Sequence, residues 1–256
     1  MSTYILLGET AGDEMQIRPQ LARIEIGNSY MGGYLAVPSE KPRGGLIVMQ
    51  EIFGVTPAMR AIADDFAAEG FVALVPDIYW RMQRDLDLGN GEDPTQRQLA
   101  VEFSNRFDEG LGTNDLVASL DWLADCSSLK GKPGIIGFCL GGRLAVRVAS
   151  AANPACMVSM YGVKLETMGE QIRRAKCPMQ FHFGENDNHN PMSTINKVRE
   201  MVDKRRLSVD EFFTYPEAEH AFYNRFRTDR FDEKAHKLAR SRVLDFLLRN
   251  LAATAG

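Results

Sequence analysis

Residues 134–151 read GIIGFCLGGRLAVRVASA. The first five are a short apolar run of strand type, and Leu140 onward carries apolar residues at helical spacing. Cys139 stands at the junction, with Gly137 two residues before it and Gly141 two after. A strand that turns at once into a helix forces strained backbone on the corner residue and leaves no room for side chains beside it. The pattern predicts a nucleophile elbow with cysteine in place of serine. The start of the following helix, with unpaired N–H groups and the positive end of the dipole, favours a thiolate. A small buried core residue is the ordinary fate of a free cysteine; the strand before it and the helix after it argue for chemistry instead.

The same alternation repeats outward. Strands are expected at 46–50, 71–75, 156–160, 179–183 and 209–215. Helices are expected at 57–69, 113–124, 140–151, 166–175, 192–204 and 231–251, with a mixed loop and helix up to 107. Short, fully apolar strands separated by helices indicate a mostly parallel central sheet with helices on both faces. Residues 22–26 and 30–37, joined by Gly27-Asn28-Ser29, predict an N-terminal hairpin ended by Pro38. The fold class is α/β. Residues 88–94 (LGNGEDP) read as a loop. No repeat, low-complexity tract or dividing linker interrupts the chain, so residues 1–256 are expected to form one domain, with 1–20 an extension of unassigned role.

The 256 residues carry 30 basic and 34 acidic side chains, a formal net charge of −4. Without a Lys/Arg block, neither nucleic acid nor an anionic membrane is an expected partner. A small molecule is. The first 14 residues do not read as a signal peptide, and the longest apolar runs fall far short of the roughly 18 residues that span a bilayer. A soluble cytoplasmic protein is expected. Cys126, Cys139, Cys156 and Cys177 form no C-x-x-C pair and fit a reducing compartment.

In a parallel sheet, ligands bind beyond the carboxyl ends of the strands. A thiol nucleophile needs a base, and the chain has four histidines. His182 lies in an apolar strand and is expected to pack there, and His236 is expected on a solvated face of the last helix. His220 follows the last strand, where a base can reach the elbow. Asp187, in Gly184-Glu185-Asn186-Asp187, is expected to orient it. The order Cys139, Asp187, His220 is that of α/β-hydrolases. Glu51 ends another strand in Gln50-Glu51-Ile52-Phe53-Gly54-Val55, where an acidic side chain needs a partner. Beside Cys139 it can accept the S–H hydrogen bond or govern thiolate formation; a core-edge arginine is the other partner open to it. The N–H groups of Ile52 and Leu140 are the expected oxyanion-hole donors. Arg81, after the next strand, is a candidate fork for a substrate carboxylate, with Arg225 as a second anchor. Trp80, Phe53, Phe222 and Tyr161 are candidate pocket residues for a flat unsaturated ring. Arg143, Arg147, Arg173 and Arg174 read as solvated helix faces.

Together, Gln50 to Val55, Gly137 to Gly142, Tyr161-Gly162-Val163 and Glu219-His220-Ala221-Phe222 resemble the dienelactone hydrolase family (carboxymethylenebutenolidases), over about residues 24–251. The resemblance implies the α/β-hydrolase fold, a Cys-His-Asp mechanism, and action on cyclic enol-lactones without metal or cofactor. A monomer is implied, with a dimer left open. It implies that Glu51 holds the resting thiol and joins its substrate-triggered activation, and that Arg81 binds the substrate carboxylate. The chain departs from the family pattern four residues after the catalytic histidine, where Asn224 replaces a second carboxylate-binding arginine and Arg225 is one residue further on. The acidic loop, Glu185 to Pro191, also carries an extra acidic neighbour. The expected activity is hydrolysis of a lactone or ester through a cysteine thioester. A general thiol carboxylesterase for neutral esters is the alternative, and a catalytically silent module that binds a small anion is the alternative from another class.

Overall fold

The computed structural model describes residues 18–126, 129, 131–205, 207 and 209–252. An eight-stranded sheet runs through them in the order β1-β2-β4-β3-β5-β6-β7-β8. Strands β1 (Arg18–Ile26) and β2 (Ser29–Val37) form the antiparallel hairpin, turning at Gly27 with φ +59°. The hairpin begins earlier than expected, because Arg18, Pro19 and Gln20 pair with Val37, Ala36 and Leu35. The end of the supposed extension is therefore sheet edge, and residues 1–17 lie outside the described residues.

β2 pairs antiparallel with β4 (Phe71–Pro76); from β4 onward, through β3 (Gly44–Met49), β5 (Gly134–Phe138), β6 (Met157–Met160), β7 (Met179–Gly184) and β8 (Glu211–Tyr215), every pairing is parallel. The inner strands β3, β4 and β5 are apolar throughout because both faces are covered. In β3, Ile47 and Met49 point into one core and Leu46 and Val48 into the other, the period of two expected for a strand. The first core takes the buried faces of α3 (Glu109–Ala124), α4 (Leu140–Ala151) and α6 (Met192–Asp203) through Leu116, Leu144 and Ile195. The second takes α1 (Pro57–Ala68) and α7 (Glu233–Ala252) through Met59, Phe66 and Val243. Two helices complete the set, α2 (Pro94–Arg106) and the short α5 (Gly169–Arg174).

Capping explains where the helices differ from their expected limits. α3 starts at Glu109 and not at 113, since the Asp108 carboxylate accepts the N–H groups of Gly110 and Leu111 at 2.8 and 3.0 Å. Asp93 caps α2 in the same way, at 2.7 Å from the N–H of Thr95. No helix among the described residues is long and apolar enough to cross a membrane.

Candidate active site

Cys139 joins β5 to α4 with φ +53° and ψ −112°, the strained backbone demanded by the corner. Its N–H donates to the Met160 carbonyl at 3.0 Å. The glycines follow from close approach. A Cβ on Gly137 would stand 2.0 Å from the Gly141 carbonyl oxygen, and one on Gly141 would stand 2.2 Å from that of Met49. Gly141 N–H also donates to the Gln50 carbonyl at 3.0 Å, which fastens the end of β3, and with it Glu51 and Ile52, against the elbow. Leu140 is the first residue of α4, so its N–H is one of the groups a helix start leaves without an intrahelical partner.

His220 is buried in the loop after β8, with Nδ1 2.8 Å from Asp187 Oδ2. Burial pulls its pKa down, but the charge of Cys139 in its thiolate form, and hydrogen bonds to Asp187 and Cys139, outweigh that and raise it to about 10. Asp187 is buried as well. Burial would raise its pKa, yet the hydrogen bond to His220, the imidazolium charge, Asn190 and the His189 N–H hold the carboxylate below its ordinary range. Asn190 supports it twice: Nδ2 donates to Oδ2 at 2.8 Å and its N–H to Oδ1 at 3.2 Å. Cys139, His220 and Asp187 thus converge from the ends of β5, β8 and β7.

Glu51 is buried at the end of β3 and accepts hydrogen bonds from the Tyr161 hydroxyl and from Asn224 Nδ2, each 3.2 Å long. The position where the resemblance calls for an arginine is therefore filled by a neutral donor to Glu51. A guanidinium does lie close, on a residue that the sequence reading passed over. Arg227 is buried, forks onto Asp229 at 2.9 and 3.0 Å, and interacts electrostatically with Glu51. Neither Asn190 nor Arg227 belongs to a motif that would have singled it out.

The anchors and pocket residues are placed differently from one another. Arg81 forks onto Asp115, Nε and Nη2 each 2.8 Å from a carboxylate oxygen, and stacks on Trp80, whose Nε1 also donates to Asp115 at 2.8 Å. Arg225 is exposed and paired with Asp65, so it points to the α1 surface and not to the elbow. Phe222 has no exposed surface. It packs in the core against Tyr161 and Tyr215, so its expected role as pocket lining gives way to support of the site from behind. Tyr161 is equally enclosed and reaches the site through its hydroxyl. Phe53 is nearly buried beneath Gly91.

His182 packs as expected: burial pulls its pKa to about 3, and its ring bridges Tyr215 and Gln180 at 2.7 and 2.8 Å. His236 does not face solvent; it is half-buried, with Nδ1 2.9 Å from the Tyr223 carbonyl. Arg143 and Arg147 are half-buried and not simply solvated, because both bind Glu109 and so tie α4 to α3. Arg173 and Arg174 are exposed as expected. Among the described residues, no group of three or more His, Cys, Asp or Glu side chains is placed to share a metal ion.

With this geometry in place, the comparison with known families is decisive: the profile of the Dienelactone hydrolase family matches residues 31–251. The chain belongs to the dienelactone hydrolase family. It is a hydrolase of lactone and ester bonds with the α/β-hydrolase fold. Carboxymethylenebutenolidase 1 of Cupriavidus pinatubonensis is 30% identical over 217 residues, 84% of this chain and 90% of that one. The carboxymethylenebutenolidase of Pseudomonas putida is 32% identical over 216 residues, again 84% and 90%. Among solved structures, a putative dienelactone hydrolase from Klebsiella pneumoniae superimposes with a TM-score of 0.77 at 25% identity, covering 90% of this chain and 98% of that one.

Proposed function

We propose that this member of the dienelactone hydrolase family opens a small enol-lactone or ester through a thioester on Cys139. The reading rests on one observation, the buried His220–Asp187 pair brought to the same end of the sheet as a cysteine held in strained backbone at a helix start. The Cys139 thiolate attacks the carbonyl carbon, and the N–H groups of Ile52 and Leu140 receive the resulting oxyanion. As the tetrahedral adduct collapses, the carbonyl–oxygen single bond breaks and His220 gives its proton to the departing oxygen.

The electrostatics suit the second half-reaction as well. The thiolate charge is the largest influence holding the proton on His220, and acylation removes that charge. Deprotonated His220 then takes a proton from water, whose oxygen attacks the thioester. The carbon–sulfur bond breaks, the thiolate is restored and the proton remains on His220. Asp187 keeps the imidazole oriented in both steps. Glu51 sets the state of the resting thiol.

For the substrate we infer a dienelactone-type enol-lactone that carries a carboxylate, met by Arg81, with the enzyme working as a cytoplasmic monomer. The neutral-ester reading has an observation in its favour, since Asp115 already occupies the Arg81 fork and Asp65 holds Arg225. The test is hydrolysis of a carboxylate-bearing dienelactone, followed by loss of ultraviolet absorbance, beside a neutral aryl ester, with Cys139→Ala as control. Lactone turnover that vanishes in the variant supports the reading. Turnover of the ester alone keeps the triad and discards the dienelactone, and turnover of neither contradicts both.

A further inference from the structure

A carboxylate offers about four acceptor positions, and those of Asp187 are all engaged. Oδ2 takes His220 Nδ1 and Asn190 Nδ2, each at 2.8 Å, and Oδ1 takes the N–H groups of His189 and Asn190 at 2.8 and 3.2 Å. A second imidazole finds no room there. His189, in the loop after β7, therefore binds the acid through its backbone alone, and among the described residues neither nitrogen of its ring has a hydrogen-bond partner. The ring meets the base instead. Its centroid lies 4.5 Å from that of His220, with the two planes tilted by 57°. Tyr161 meets the same imidazole at 5.0 Å, but Tyr161 is enclosed whereas His189 is exposed. The ring that reaches His220 from the solvent side is that of His189, and it leaves the catalytic imidazole 7% exposed.

One residue thus touches the acid through its backbone and the base through its ring. Two imidazoles in contact cannot both hold a proton without repulsion. Burial, then the His220 charge, lower the His189 pKa; Asp187 opposes them, and Arg230 and Arg227, from the loop that carries His220, add to the lowering. His189 is therefore neutral beside a protonated His220. We propose that His189 is a positioning residue for His220, which in its neutral form packs on the imidazole while its N–H holds Asp187, and in its protonated form disables the base. A proton gained by His189 in acid places a second positive charge against the imidazolium. The His220 proton then passes to the Cys139 sulfur: an N–H bond breaks, an S–H bond forms, and thiolate and imidazolium become thiol and neutral imidazole. His189 thereby sets the pH below which the nucleophile is silent. The inference rests on the reading of Cys139 as nucleophile and His220 as its base.

The test follows alkylation of Cys139 by iodoacetamide, resolved by peptide mass spectrometry from about pH 4 to about pH 9, a range that brackets the ordinary imidazole and thiol values. The proteins are the wild type, His189→Phe and His189→Gln. The first variant keeps a ring without a titrating nitrogen, and the second keeps a polar side chain without the ring, so the charge is removed in two different packings. In both, the fall of reactivity on the acid side is expected to move down by about half to one pH unit, which is about three- to tenfold faster alkylation than wild type at the foot of its profile. A second measurement needs no reactivity: the Hε1 resonance of His189 is titrated by NMR in the wild type and in His220→Gln. Without the neighbouring positive charge, the His189 midpoint is expected to rise by about half to one pH unit. An unmoved acid profile in either folded variant overturns the proposal, and so does a His189 midpoint that His220→Gln leaves unchanged. A wild-type Cys139 that reacts only as an ordinary thiol, with reactivity appearing above about pH 8, overturns the nucleophile reading and the proposal with it.

Discussion

His220 Nδ1 and Asp187 Oδ2 lie 2.8 Å apart, both side chains buried. In the proposed mechanism Asp187 fixes the tautomer as well as the orientation of the imidazole. Asp187→Asn is expected to lower kcat by about 10³- to 10⁴-fold while leaving KM within a few-fold, the pattern of a lost transition-state interaction. Steady-state kinetics on a turned-over ester checks this, and a loss below about tenfold would remove Asp187 from the triad.

The same pair makes folding stability depend on pH. The Asp187 pKa is lowered by folding, so its contribution is present above the ordinary carboxylate range and is lost as pH falls toward the folded value. The His220 pKa is raised to about 10, so its contribution is complete below the ordinary imidazole value near 6.5 and is lost as pH rises through about 10. Cys139→Ala removes the largest influence raising it. The alkaline decline of the melting temperature is expected to move to lower pH in that variant, and coincident declines in thermal melts would contradict the coupling.

The elbow tolerates no side chain at Gly141, whose added Cβ would stand 2.2 Å from the Met49 carbonyl oxygen. Backbone cannot yield as a flexible side chain does. Gly141→Ala is expected to cost about 1–3 kcal/mol of stability and to lose most activity by displacing Cys139. Denaturant melts and kcat report the two effects separately.

Arg81 separates the two substrate readings. Removing it leaves the Asp115 carboxylate, 5% exposed, with Trp80 as its remaining donor. With Arg81 itself 40% exposed, a stability loss of about 1 kcal/mol is expected for Arg81→Ala. If the guanidinium also binds a substrate carboxylate, KM for an anionic lactone rises more than tenfold while KM for a neutral ester stays put. Equal changes on both substrates would make Arg81 a structural partner of Asp115.

The fold was legible because its inner strands are apolar on both faces and its elbow concentrates glycine where side chains cannot fit. The convergence of Cys139, Asp187 and His220 was legible for a related reason: each stands in the segment that follows a strand, and sequence order reports that position. What stayed hidden depends on pairing across elements. Asp115 lies 34 residues from Arg81, and Glu109 lies 34 from Arg143; no local pattern tells that an arginine on a helix or loop is already engaged. His236 was misplaced for the same reason, since its partner is a carbonyl 13 residues away. Asn190 and Asn224 act through amides, residues that sequence reading ordinarily assigns to turns.

The central claim is a covalent thioester on Cys139, and rapid-quench mass spectrometry of the His220→Ala variant mixed with a lactone or activated ester tests it most directly. With the base removed, the acyl-enzyme should accumulate as a single adduct of substrate mass on the peptide that contains Cys139, labile to hydroxylamine. An adduct on another residue, or turnover by Cys139→Ala at the wild-type rate, would contradict it.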